Sequence, residues 1–162
     1  MAVVEVKING LAVDAQAKSH VVILKEKDGE RVLPIWIGPA EATAIARELA
    51  GQRFQRPLTH DLLANIVEGL RAKVTRVVIS ELKDNTFFAQ LLVDRDGEAV
   101  VIDARPSDSI AVALRCGADI FVNEKLLNEP GEQDEPTPEE KAQELRKFLE
   151  NLDPEDFGKY NP

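Results

Sequence analysis

Short runs of β-branched and aromatic residues, separated by turn residues, follow one another along the first 127 residues. The run that begins at Val3 alternates apolar and polar residues, as a half-buried strand does. Asp28-Gly29 and Asp96-Gly97 each lie between two such runs, and an Asp-Gly pair predicts a hairpin because both residues tolerate positive φ. Strands joined by hairpins, without strict strand-helix alternation, predict an α+β fold in which helices pack on a mixed or antiparallel sheet.

One layout occurs twice in this part of the chain: three predicted strands, then a small-residue helix that begins with a proline. Pro39 in the first copy matches Pro106 in the second. Self-similarity of this kind indicates a repeated structural unit. We therefore expect one domain over residues 1–127, built from two strand-strand-strand-helix copies at about 1–73 and 74–127.

A further helix is predicted between the two copies. Thr59 is a good N-cap residue, and Asp61 lies in the first turn, where the helix dipole favours an acid. Apolar residues recur behind it at helical spacing, which predicts a core-facing stripe of Leu62, Leu63, Ile66, Val67 and Leu70. Trp36, on the last strand of the first copy, is expected in the core as well.

The composition changes after Leu127. Residues 128–136 are acidic and proline-rich, as in a linker. Thr137-Pro138 then predicts the start of a helix, with Thr at the cap and Pro at the first position. Its apolar stripe, Leu145, Phe148, Leu149 and Leu152, predicts that residues 137–162 form a C-terminal amphipathic helix and tail that dock on the domain or on a partner chain.

The formal net charge of −9 is unevenly spread and argues, taken whole, against a general nucleic-acid binder. Residues 128–162 hold 4 Lys and Arg against 11 Asp and Glu. In the rest of the chain, the stretch from Arg47 to Arg76 has six Lys and Arg against three Asp and Glu. This local excess is sufficient to host a phosphate or a carboxylate, although a solvated helical surface has the same composition.

Cysteine content and hydropathy restrict the cellular setting. Cys116 is the only cysteine, so neither an intrachain disulfide nor a cysteine metal cluster is possible. No run approaches the length of a membrane span, and the N-terminus does not resemble a signal peptide. The sequence therefore predicts a cytoplasmic protein with no membrane partner.

Three carboxylates are candidates for catalysis and metal binding. Glu41 and Asp108 occupy equivalent helix starts in the two copies, and Asp103 ends the strand before the second. If the two helix starts meet, the three acids share a cleft and could hold Mg²⁺ or Mn²⁺, with Arg105 as a phosphate clamp. Acids are also favoured at these positions by the helix dipole alone, so a purely structural role stays open.

His60 is the remaining catalytic candidate. It adjoins Asp61 in the most basic stretch, where an imidazole could act as a general base or place a phosphate. Arg53 and Arg56 lie just before it and, with Arg105, are the candidate nucleic-acid-binding residues. A surface position without function is the alternative for His60.

Three motifs occur in this order: Leu33-Pro-Ile-Trp-Ile-Gly-Pro-Ala-Glu-Ala42, Arg56-Pro-Leu-Thr-His-Asp-Leu-Leu63 and Ala104-Arg-Pro-Ser-Asp-Ser-Ile-Ala111. Together they resemble the bifunctional nuclease domain family. The C-terminal element Pro-Glu-Asp-Phe157 also resembles the tail of stand-alone bacterial members of that family. The likeness covers about residues 3–127. It implies hydrolysis of both DNA and RNA, and it supplies no catalytic residues to carry over.

Two functions are therefore expected as alternatives. The first is a metal-assisted nuclease that hydrolyses DNA and RNA without strong sequence specificity. The second is a non-catalytic, homo-oligomeric binding or scaffold domain for an anionic ligand or partner protein. A homodimer is expected in either case, from the apolar stripe of the C-terminal helix and the edge-strand-rich layout of the family.

Overall fold

A computed structural model describes residues 1–14, 19–129 and 138–150. Seven strands, four α-helices and one short 3₁₀ helix are present in these ranges. In chain order they are β1 (Val3–Asp14), β2 (Ser19–Glu26), β3 (Val32–Ile37), α1 (Pro39–Leu49), α2 (Thr59–Gly69), β4 (Ala72–Lys83), β5 (Thr86–Arg95), β6 (Glu98–Ala104), α3 (Pro106–Cys116), β7 (Asp119–Asn123), the 3₁₀ helix (Glu124–Leu126) and α4 (Pro138–Glu150).

All seven strands belong to one sheet, in the order β3-β2-β1-β7-β4-β5-β6. Each copy of the predicted unit is an antiparallel meander followed by a helix: β1, β2, β3 and α1, then β4, β5, β6 and α3. β7 joins the two meanders, because it pairs antiparallel with β1 and parallel with β4. The predicted α+β fold and its repeated unit are confirmed.

The core lies between one face of the sheet and helices α1 and α3. Strand residues such as Val22, Leu24, Val77 and Ile79 are completely buried there, against Ile45 of α1 and Ile110 of α3. Alanines on both helices, including Ala42, Ala46, Ala111 and Ala113, are buried and allow close approach. Since the two helices also contact each other, their N-termini are held side by side.

Trp36 is not in the core, contrary to expectation, and its exposed fraction is 63%. Trp36 pairs with Val21 of β2, whereas the next pair along the ladder, Val22 and Ile35, is buried. Because side chains alternate between the faces of a strand, Trp36 points away from the helices. The apolar residues around Trp36 predicted the strand correctly, but they did not show which face of the strand is buried.

Helix α2 also differs from expectation, because most of its apolar stripe faces solvent. Leu62, Leu63, Ile66 and Leu70 are exposed, whereas Val67 packs against Val74, Val93 and Val112. The side turned to the protein carries His60, Ala64 and Val67. The helix begins one residue earlier than predicted, with Leu58 at the N-cap and Thr59 as its first residue. The polar contacts of His60 and Asp61, described below, fix this orientation, although burial of the leucines would favour the opposite one.

Helix α4 lies on its own domain, against α1 and β1, and Phe148 meets the His20 ring edge-on at 5.2 Å between centroids. Docking of the C-terminal helix was expected, and a contact with the same chain was one of the two alternatives. Leu152, the tail, most of the predicted linker and residues 15–18 fall outside the described residues. No helix in the described ranges is both long and apolar enough to cross a membrane.

Candidate active site

The N-termini of α1 and α3 converge at one cleft. Each helix follows a strand directly and has proline at its start and an acid in its first turn. The residues that cap them differ: Gly38 precedes α1 and Arg105 precedes α3. A Cβ on residue 38 would collide with the Glu41 carboxylate, so glycine there allows that side chain to fold back over its own helix start.

Arg105 connects the two helix starts. Its Nη2 atom donates to Glu41 Oε1 at 2.8 Å and lies 2.8 Å from Asp108 Oδ2, to which its Nε also donates at 2.9 Å. The bonds to Glu41 and Asp108 raise the pKa of Arg105 above its ordinary value. The Arg105 side chain is 66% exposed, whereas that of Glu41 is 16% exposed, so the cation stands at the mouth of the cleft.

His60, which lies on α2, connects a third helix to Glu41, Arg105 and Asp108. Its Nε2 lies 2.9 Å from Asp108 Oδ1, and the residue is 9% exposed. Burial raises the pKa of Asp108, but hydrogen bonds from His60 and Arg105 outweigh burial and leave that pKa below its ordinary value. An ionised carboxylate only accepts hydrogen bonds, so it orients the Nε2–H toward itself and leaves Nδ1 as the basic nitrogen of the neutral ring.

The position of His60 depends on its neighbour Asp61. The carboxylate of Asp61 accepts from the backbone N–H of Leu58 at 2.9 Å and from Arg115 Nε at 2.6 Å. Arg115 also donates to Ala111 O at 2.9 Å and to Ala44 O at 3.2 Å, and its side chain is 5% exposed. One buried arginine thus joins α1, α2 and α3. Asp61 is consequently a structural anchor of α2, and not a partner of the His60 ring.

The electrostatics of Asp61 give a testable pH dependence. Burial raises its pKa, but the bonds from Leu58 and Arg115 prevail and leave it below the ordinary value. A carboxyl whose folded pKa is depressed stabilises the fold above its unfolded pKa of about 4 and loses that contribution as the pH falls through the folded value.

We therefore expect Asp61→Asn to lower the free energy of unfolding at pH 7 and to lose most of this effect in acid. Urea denaturation of both proteins between pH 7 and pH 3, followed by circular dichroism, measures the difference. A difference that is independent of pH would contradict the ion pair.

The cleft has a volume of about 860 Å³ and is lined by Glu41, His60, Arg105 and Asp108 together with Arg47 and Arg56. A neighbouring cavity of about 620 Å³ shares Arg47, Arg56 and Arg115 with it and adds Arg53 and Lys73. Arg47 is buried, with its guanidinium 5.0 Å from the centre of the Phe54 ring. Basic side chains thus continue from the His60 cleft into the second cavity.

The structure brings together most of the residues singled out from the sequence. Glu41, Asp108, Arg105, His60 and Arg56 line the first cavity, and Arg53 lies in the second, 3.6 Å from Glu48.

Asp103 is not brought to this group. It pairs with Gln90 across β5 and β6, one residue out of step with the buried Ala89, and is exposed. Strand alternation therefore turns its side chain to the face of the sheet opposite the helices. The predicted cleft of three carboxylates does not form.

The remaining acids do not fit a shared metal ion in this arrangement. Nη2 of Arg105 lies between Glu41 and Asp108, where a bridging cation would have to be. No group of three or more His, Cys, Asp or Glu that could hold a metal occurs within the described ranges. Mg²⁺ or Mn²⁺ binding at Asp103, Asp108 and Glu41 stays a prediction from the sequence alone.

Arg115 is the residue of this region that sequence reasoning missed. A basic residue in the last turn of a helix is ordinary, because it complements the helix dipole. Its contacts to Asp61 and Ala44 span 54 and 71 residues of sequence. A single sequence contains no signal for such distant contacts.

The fold and the cleft define an α+β protein in which a histidine–aspartate pair and several arginines line one cavity. Residues 22–135 match the bifunctional nuclease domain, and the chain belongs to that family. The resemblance found in the sequence is confirmed.

Relatives of the chain come from bacteria and plants. An uncharacterized protein of Mycobacterium tuberculosis is 40% identical over 162 residues, covering 94% of this chain and 97% of that protein. Bifunctional nuclease 1 of Oryza sativa subsp. indica is 29% identical over 129 residues, covering 76% of this chain and 39% of the plant protein. Bifunctional nuclease 1 of Arabidopsis thaliana is 29% identical over 119 residues, covering 71% of this chain and 37% of the plant protein. The chain therefore spans well under half the length of these two plant relatives.

Proposed function

We propose that this protein hydrolyses phosphodiester bonds of DNA and RNA, without strong sequence specificity, in the cleft between α1, α2 and α3. The observation that carries the proposal is the hydrogen-bonded chain from His60 through Asp108 and Arg105 to Glu41, on the wall of an arginine-lined cavity. Membership of the family and the names of its plant relatives support the same reaction.

His60 acts as the general base in this proposal. Hydrolysis requires removal of a proton from the attacking water, and a positioned imidazole can accept it at Nδ1. Asp108 holds the ring in the tautomer that leaves Nδ1 basic, and its negative charge stabilises the imidazolium that forms. Proton transfer by such a base contributes roughly 10²–10⁴-fold to a rate.

Arginines bind the phosphate. Arg105 uses Nε and Nη2 for the two carboxylates, so Nη1 is left to meet a phosphate oxygen at the cleft mouth. Arg56 faces the same cavity, and Arg53 extends the basic surface into the next one. Aromatic residues make up only 5% of the chain, which favours contacts to the backbone of the nucleic acid over stacking on its bases. Such contacts do not read sequence.

Participation of Mg²⁺ or Mn²⁺ forms a separate part of the proposal. A metal held by Glu41 and Asp108 could neutralise charge at phosphorus, but Arg105 would first have to leave both carboxylates. Cleavage measured with Mg²⁺, with Mn²⁺ and with chelator distinguishes the two routes. Activity that persists in chelator assigns the charge neutralisation to the arginines. Activity lost in chelator assigns it to a metal ion, and Arg105 must then leave the carboxylates if that ion is held by Glu41 and Asp108.

Two carboxylate variants form the central test. Asp108→Asn keeps the shape but removes the charge that orients His60, so we expect cleavage of single-stranded DNA and RNA to fall by about 10²-fold or more. Asp103→Asn makes the same chemical change on the opposite face of the sheet and is expected to retain the wild-type rate. Circular dichroism and thermal unfolding establish that both variants are folded.

Other results would change the assignment. Loss of activity in Asp103→Asn alone would restore the role that the sequence suggested for it. Equal trace activity in wild type and both variants would identify the cleavage as contamination. The binding-domain alternative, in which Arg53, Arg56 and Arg105 hold an anion without chemistry, then predicts nucleic-acid binding that weakens as salt rises.

A further inference from the structure

The two edges of the sheet are unequally protected. At one edge, β3 contains Pro34, which has no N–H, and Val32 exchanges backbone hydrogen bonds of 2.8 Å with Asn128. Prolines and covering segments are common means of blocking an edge. The other edge, β6, contains no proline, and no strand of the described ranges pairs with its outer side.

The outer edge of β6 is apolar as well as open. Val100, Val101 and Ile102 have exposed fractions of 36%, 57% and 40%. Their side chains alternate between the two faces of the sheet, so the edge is apolar on both sides. A long, exposed, apolar edge strand presents unpaired backbone groups that another strand can bind.

The register of β6 shows which backbone groups are unpaired. The turn between β5 and β6 has two residues, Asp96 and Gly97, both with positive φ, as in a type I′ turn. Such a turn is closed by a pair that exchanges both hydrogen bonds, here Arg95 and Glu98.

No bulge interrupts the ladder beyond this turn. Hydrogen-bonded pairs alternate with non-bonded pairs along an antiparallel ladder, so Val100, Ile102 and Ala104 also bond inward, to β5. The N–H and C=O groups of Ala99, Val101 and Asp103 therefore point outward.

We propose that β6 pairs antiparallel with β6 of a second copy of this chain, about a twofold axis at Val101, so that the two sheets become one. In this register Val101 faces Val101 of the second copy, and each Ala99 faces an Asp103. All outward groups are then satisfied, which gives about six backbone hydrogen bonds between the copies. Val100 meets Ile102 in the intervening pair, and no two like charges stand opposite each other.

A second copy is the occupant that these observations select. The three outward residues are centred on Val101, so a twofold axis at Val101 is the register that pairs all three of them with a second copy, and twofold dimers are the commonest symmetric assemblies. The pairing also places Gly97 of one copy at the end of β6 in the other, opposite Arg105, which caps α3. The two proposed active clefts thus border the dimer interface.

Charge-swap variants at Val101 test both the interface and its register. The wild type is expected to have twice the 17.9 kDa mass of one chain in sedimentation analysis at about 100 μM. Val101→Lys and Val101→Glu each place two like charges opposite each other and are expected to be monomers. An equimolar mixture of the two variants is expected to recover the dimer mass, because lysine then faces glutamate.

The other edge strand provides the control. Trp36→Lys adds the same charge to β3, at a position that is 63% exposed, and is expected to leave the dimer intact. A wild-type monomer, a dimeric Val101→Lys, or a mixture that remains monomeric would overturn the proposal. Dissociation by Trp36→Lys with no effect at Val101 would move the interface to the opposite edge. Circular dichroism shows that each variant is folded.

Discussion

Replacement of His60 by glutamine is expected to lower the rate of DNA and RNA cleavage by about 10²–10⁴-fold. Glutamine can still donate a hydrogen bond to Asp108, but it has no basic nitrogen to accept a proton from water. The affinity for nucleic acid should change little, because the arginines that meet the phosphates are retained. Single-turnover cleavage and fluorescence anisotropy measure the two quantities separately.

The second histidine of the chain is a matched control. His20 lines the same cavity, but it lies against Phe148, and burial lowers its pKa. Within the described residues it has no acidic partner like Asp108. We expect His20→Gln to cleave at nearly the wild-type rate. Equal losses in the two variants would show that the cleft responds to disturbance in general, and an active His60→Gln would remove His60 as the base.

Replacement of Arg115 by methionine is expected to lower the free energy of unfolding by about 3 kcal/mol. Methionine fills similar space, but Asp61 loses its buried cation, and the carbonyl oxygens of Ala44 and Ala111 lose a donor. Removing one partner of a buried ion pair typically costs 3–5 kcal/mol, and partial exposure of Asp61 places the expected value at the lower end of that range.

Urea denaturation followed by circular dichroism measures this change. Arg95→Met, at an exposed position beside the β5–β6 turn, makes the same substitution and is expected to stay within about 0.5 kcal/mol of wild type. A difference between Arg115→Met and Arg95→Met of less than about 1 kcal/mol would show that Arg115 does not hold α1, α2 and α3 together.

The sequence contained enough to predict the strands, the hairpins and the repeat, because these depend on local turn chemistry and alternation. The expectation that Glu41, Asp108 and Arg105 share a cleft was conditional on the two helix starts meeting, which the sequence could not decide and the structure shows. The same alternation failed for Trp36 and Asp103, because a period of two defines two faces but does not say which of them the helices cover.

Helix α2 was misjudged for a different reason. Its leucines dominate the helical pattern, whereas its orientation follows from polar contacts of His60 and Asp61 to residues of α3. Ion pairs between segments so far apart in the chain leave no periodic trace. The leucines of α2 face solvent because these contacts turn the side of the helix that carries His60 toward the protein.

Fusion of the two repeat units has a consequence for the symmetry of the cleft. In an assembly of two identical separate units, both helix starts would carry the same cap: two glycines would leave the acids without a cation, and two arginines would repel each other. A single chain removes this constraint, because each helix start can change alone. Gly38 makes room for the acid of the first unit, and Arg105 supplies a cation from the second, so that one guanidinium pairs with the acids of both units. An isolated half of this protein would lack that complementarity, whatever its stability.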